Sequence, residues 1–135
     1  MKKTGMLLFA CIGLVLTACD RSPPGQAVML GEYSVVFSHQ PSPLMVGLDA
    51  LLQLNINDQN GQPQRACKVG VRQFMPGMEM AHDQVLIPLP ADNDGVYRGK
   101  TSPFSMGGEW VLKITIDCGD GPVSHPFTYQ LEWPE

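Results

Sequence analysis

Three of the eight methionines fall within one short stretch, Met75-Pro76-Gly77-Met78-Glu79-Met80-Ala81-His82. A thioether sulfur is soft and neutral, and two or three of them beside one imidazole prefer Cu(I) to Zn²⁺ or Mg²⁺. Pro76-Gly77 offers the fixed φ and the positive φ of a tight turn, which would bring the Cα atoms of Met75 and Met78 within about 7 Å. If the chain then runs extended, Met78, Met80 and His82 project to one side and Glu79 and Asp83 to the other. The same residues have a structural use. Methionine fills irregular gaps in cores, and a Met-rich turn could simply cover one end of a domain. Spacing alone leaves both readings open.

No other constellation competes with this one. The chain has no Gly-x-Ser-x-Gly elbow, no His-Glu-x-x-His helix, no P-loop and no Cys-x-x-Cys pair. Nothing local prepares a nucleophile, so the sequence reads as that of a non-enzyme. His39, just before Gln40-Pro41, reads as an exposed loop residue. His125, on the apolar side of the last strand, reads as a core or strand-end histidine rather than a ligand.

The elements that must hold the methionines are short strands. With 135 residues there is room for one domain, and 14 Gly with 12 Pro suit strands joined by turns better than helices. From Glu32 onward the apolar period is two. Tyr33, Val35 and Phe37 alternate with polar or smaller residues, as do Ala50, Leu52, Leu54 and Ile56. Cys67, Val69 and Val71 share a face, and Val85, Ile87 and Leu89 form another, with Pro88 marking an edge strand. A short strand follows at 96–100. Trp110, Leu112, Ile114, Ile116 and Cys118 line one side of a longer strand, and Val123, Phe127, Tyr129, Leu131 and Trp133 one side of the last. Asn60-Gly61, Asp94-Gly95 and Asp120-Gly121 accept the positive φ of tight turns between them. About seven such strands predict an all-β fold, an immunoglobulin-like antiparallel β-sandwich.

The N-terminal segment stands apart. Lys2-Lys3 precedes an apolar run from Met6 to Ala18, which reads as a signal peptide. Its exit, Leu16-Thr17-Ala18-Cys19, resembles the lipobox of bacterial lipoproteins. That resemblance implies cleavage before Cys19, lipidation of Cys19 and attachment to the membrane through the N-terminal lipid. Asp20 resembles the signal that retains such lipoproteins in the inner membrane, facing the periplasm. Residues 21–31, with Pro23-Pro24-Gly25, read as a flexible tether. The expected organisation is a signal peptide at 1–18, a lipidated N-terminus and tether at 19–31, and the sandwich at 32–135.

Removing residues 1–18 leaves seven bases against thirteen acids, a net charge of −6. Such a surface excludes electrostatic binding to nucleic acid or anionic lipid. Of four cysteines, Cys11 leaves with the signal peptide and Cys19 carries lipid. Cys67 and Cys118 then remain to pair in an oxidising compartment. Both point inward by strand parity, which predicts an inter-sheet bridge with Cα atoms about 4.4–6.8 Å apart.

Taken in order, Met75-Pro76-Gly77-Met78-Glu79-Met80, Gly95-Val96-Tyr97-Arg98 and Met106-Gly107-Gly108-Glu109-Trp110-Val111-Leu112 resemble the YtkA-like domain family, with FixH-type proteins as relatives. The stretch from Gly47 to Gly61 resembles the family's first core hairpin, and the likeness spans roughly residues 30–118. It implies an immunoglobulin-like sandwich outside the cytoplasm, a link with copper handling or respiratory-oxidase assembly, and a membrane-protein partner. Its site positions map to Met75, Met78, Met80 and Met106; Tyr97 and Trp110 map to the core, and His82 enters from local geometry alone. Two functions therefore stand as expectations. One is a membrane-anchored module that binds or delivers Cu(I). The other is a metal-free module whose Met-rich turn docks a membrane partner.

Overall fold

The computed structural model describes residues 25–78 and 85–135. Among these residues there is no helix, and the strands are β1 (Gln26–Leu30), β2 (Tyr33–Gln40), β3 (Leu51–Asn57), β4 (Lys68–Phe74), β5 (Val85–Pro88), β6 (Tyr97–Lys100), β7 (Gly108–Asp117) and β8 (Val123–Leu131). They form two four-stranded antiparallel sheets, ordered β1-β2-β3-β6 and β5-β4-β7-β8. The apolar period built them. Leu52, Leu54 and Ile56 of β3 and Trp110, Leu112, Ile114 and Ile116 of β7 are buried between the sheets, beside Phe37, Tyr97 and Phe104. Full burial of each Leu, Ile or Phe contributes roughly 1.5–3 kcal/mol, so alternation on this scale selects the sandwich over any single-sheet alternative.

Four expectations need correction. The expected β-sandwich is present with eight strands, but its first strand, Gln26–Leu30, lies in the stretch expected as tether and pairs with β2 from Gln26 opposite Phe37 to Leu30 opposite Tyr33. The Cys67–Cys118 disulfide is present, but it is not an inter-sheet bridge. Lys68 lies opposite Asp117, so the bridge joins residues just outside paired β4 and β7 of one sheet. Parity fixes the face of a strand and not its neighbour. The Cα separation is 4.2 Å, just under the expected range. Trp133 lies beyond the end of β8 and is 64% exposed instead of lining the core. His39 belongs to β2 and is half-buried, its ring edge-on to Tyr129 at 5.1 Å between centroids.

Strand register sets what shares an end of the sandwich. Gln40 lies opposite Leu51 and Leu51 opposite Lys100, so β2 finishes, β3 starts and β6 finishes together. In the other sheet Gln73 lies opposite Val85, Phe74 opposite Val111 and Gly108 opposite Leu131. The two sets are tied across the sandwich by Gln73, 2% exposed. Its amide Nε2 donates to the Ser102 carbonyl and its Oε1 accepts from the Ser102 N–H, both at 3.0 Å.

Candidate metal centre

The methionines sit at that tied end. Met78 N–H donates to the Met75 carbonyl at 3.3 Å across Pro76-Gly77. Gly77 has φ +82° with nothing within 4 Å of where a Cβ would stand, so the turn requires glycine for its backbone rather than for space. Met75 continues the inward row of Val69, Val71 and Gln73 and packs, half-buried, on the core. Its methyl carbon lies 3.1 Å from the position a Cβ would take on Gly108.

The opposite wall is the segment entering β7. Met106 is half-buried against the core. Its carbonyl accepts a hydrogen bond from Trp110 Nε1 at 2.9 Å, and Trp110 is held edge-on to Phe104 at 5.1 Å between centroids. The Gln73 clamp on Ser102 fixes the chain four residues upstream of Met106. Two glycines follow Met106, and each seats a different side chain. Gly108 takes the methyl of Met75, while the Cβ position of Gly107 is only 2.7 Å from Trp133 Cδ1.

Of the five expected ligands, the fold therefore brings Met75 beside the Met106–Gly108 segment. Met78, one turn away, is 52% exposed. Met80 and His82 lie outside the described residues, as does the lipidation position Cys19. Among the described residues, no group of three or more His, Cys, Asp or Glu is placed to hold a metal ion. The soft donors at this end are the thioethers of Met75 and Met106, both packed on the core, and of the exposed Met78, a donor type suited to a soft monovalent ion. His39 and His125 are engaged elsewhere. His39 Nδ1 lies 2.8 Å from the Pro41 carbonyl, and the His125 ring packs on Phe127. Tyr129 also has altered chemistry: its hydroxyl is buried with no hydrogen-bond partner among the described residues, and desolvation pushes its phenol up to about 12.

The reading from sequence missed Gln73, Trp133 and the separate uses of Gly107 and Gly108. Gln73 carried a usable signal, since it is the polar member of an otherwise apolar inward row. Trp133 carried none, because its seat is made by a glycine 26 residues earlier.

The sequence profile of YtkA-like proteins matches residues 29–115, more than half of the chain. The chain belongs to the YtkA-like family. The stretches at 47–61, 75–80, 95–98 and 106–112 all fall inside that match. No curated protein matches. A DUF4426 family protein from Pseudomonas aeruginosa PAO1 is similar in structure, at a TM-score of 0.53 and 18% identity, over 82% of this chain and 96% of that one. At that identity the likeness speaks for the fold alone. FetP of uropathogenic E. coli strain F11 is similar at a TM-score of 0.45 and 13% identity, over 81% of this chain and 95% of that one, and it carries no argument.

Proposed function

We propose that this YtkA-like protein is a periplasm-facing lipoprotein, anchored through Cys19, that holds or passes Cu(I) at its methionine-rich end. The observation that carries the reading is the seat of Met75 against Gly108, two residues from Met106, with the Gln73 clamp holding the two chain segments together. Met78 on the adjoining turn is solvent-reachable, so a third sulfur can meet an arriving ion. Thioethers stay neutral, and an ion held by them loses no energy to ligand deprotonation. Met80 and His82 follow directly in sequence and would complete the set. A disulfide between Cys67 and Cys118 favours an oxidising compartment. Leu16-Thr17-Ala18-Cys19 supports the lipid anchor, and Asp20 supports the inner membrane. Transfer to a respiratory-oxidase assembly factor or another membrane protein fits a carrier of this kind.

The exposure of Met78 also favours the second reading, a metal-free surface that grips a membrane partner. One experiment separates them. Leucine keeps methionine's bulk without its sulfur, so the variant with Met75, Met78 and Met80 all replaced by Leu should fold normally. In titration against a competing Cu(I) chelator it should lose affinity about tenfold or more, equivalent to about 1.4 kcal/mol or more. Equal affinity in the variant and the wild type would make the cluster a packing element or a docking surface.

A further inference from the structure

Among the described residues, five of the seven large apolar side chains that stand exposed are Met45, Leu48, Leu51, Met78 and Trp133, each 48–64% exposed. All five belong to the end of the sandwich where β2, β4, β6 and β8 finish. The 45–48 segment is fastened there by Gly47 N–H donating to the Phe104 carbonyl at 2.8 Å. The opposite end has another character. Its turns and strand ends carry Glu32, Asp58, Asp92, Asp94, Asp117 and Asp120 together with Arg65 and Lys68, while the apolar tip carries Asp49, Glu109, Glu132 and Glu135 of its own. Acidic residues stand at both tips, but most of the large exposed apolar side chains are gathered at one, and apolar surface of this kind marks a contact surface.

Chain direction supplies an independent observation. β1 runs antiparallel to β2 with Gln26 opposite Phe37. Followed backward from Gln26, the chain therefore heads towards Gln40 and the apolar tip. The Cβ position of Gly25 is already 3.9 Å from Ser38 Cβ. From Phe37 to Gln40 is about 10 Å of strand. Cys19 is seven residues before Gln26, a span of at most about 25 Å of extended chain. The chain thus leaves the fold towards the tip that carries the exposed apolar side chains.

We propose that the apolar tip is seated on the lipid bilayer surface, with Trp133, Leu48, Met45 and Met78 in the headgroup region and the opposite tip turned away. The proposal rests on the lipidated Cys19 of the function above and is independent of copper. Tryptophan is the side chain best suited to a membrane–water boundary, and the anchor removes most of the entropic cost of a small apolar contact. Seated so, Met75 and Met106 lie close to the membrane plane, within reach of a membrane-embedded partner.

Bromine on lipid acyl chains quenches tryptophan that enters the boundary, so it reads the orientation directly. Full-length acylated protein is reconstituted in vesicles of phosphatidylethanolamine and phosphatidylglycerol, with or without brominated chains. Emission from Trp133 should fall roughly twofold in the brominated vesicles. Trp133→Leu, which leaves only the buried Trp110, should remove the effect. A double variant, Trp133→Leu with Asn60→Trp, places the probe at the opposite tip and should stay unquenched. Absence of Trp133 quenching in protein that is acylated by intact mass and floats with the vesicles overturns the orientation and leaves the anchor standing. Quenching of the tryptophan at position 60 does the same. A dimer of the acylated protein that shields Trp133 from bromine assigns the tip to a second copy and overturns the lipid contact. An unacylated mature protein overturns the anchor and the orientation together.

Discussion

Replacing Gln73 by Leu should cut the joint that sets the segment from Met106 to Gly108 beside Met75. The amide makes two hydrogen bonds to Ser102 at 3.0 Å from a site only 2% exposed, and leucine can make neither. Each such bond contributes a net 0.5–1.5 kcal/mol, and leaving the half-buried Ser102 N–H and carbonyl unpaired adds to that, for a total loss of about 2–4 kcal/mol. In a domain of this size the melting temperature should fall by about 10 °C. Urea unfolding of the oxidised protein, followed by the emission of Trp110, measures the loss. Hydrogen exchange at the Ser102 amide localises it, because protection there should collapse while amides in the middle of β7 keep theirs. Arg72→Leu, an exposed change one residue away, should cost within about 0.5 kcal/mol. If Gln73→Leu is as mild as that control and Ser102 stays protected, the clamp is not what holds this end together.

Two further outcomes follow from the buried tyrosine and the disulfide. The phenol of Tyr129, raised to about 12, lies above its unfolded value of about 10. Its stabilising contribution is therefore complete below pH 10 and is lost as the pH climbs from 10 through 12, because the unfolded chain ionises first. Ultraviolet titration should show one phenol ionising near pH 12. Tyr129→Phe should abolish that step without lowering the melting temperature, since the hydroxyl has no partner to lose; absence of a late step contradicts the burial. Replacing Cys67 and Cys118 by Ser opens a link spanning 51 residues, worth about 4 kcal/mol in the chain-entropy model. Paired β4 and β7 should persist in the cold by circular dichroism, and a loss under about 1 kcal/mol would refute the estimate.

The strands that were legible in the sequence are those whose two faces differ sharply. In β3 and β7 every second residue is a large apolar side chain, and burial follows that row. β1 escaped because only Leu30 of its five residues is buried, so the strand is held by backbone pairing with β2 and leaves no alternation to read. The Pro76-Gly77 turn was legible because those two residues set their own φ. The disulfide partners were legible and their geometry was not, since inward parity is shared by every strand of both sheets. The candidate site divides the same way. Met75 and Met78 come together through local turn chemistry, whereas Met75 meets the Met106 segment only through strand pairing and the Gln73 contact across the sandwich. No local spacing encodes the contact of Met75 with Gly108, 33 positions away.

X-ray absorption at the copper edge of the Cu(I)-loaded protein tests the central claim most directly, because it counts the sulfurs around the metal. The account predicts a first shell dominated by sulfur that loses one sulfur in Met75→Leu and one in Met106→Leu. A shell of nitrogen and oxygen alone, or a sulfur shell that both substitutions leave unchanged, would contradict it.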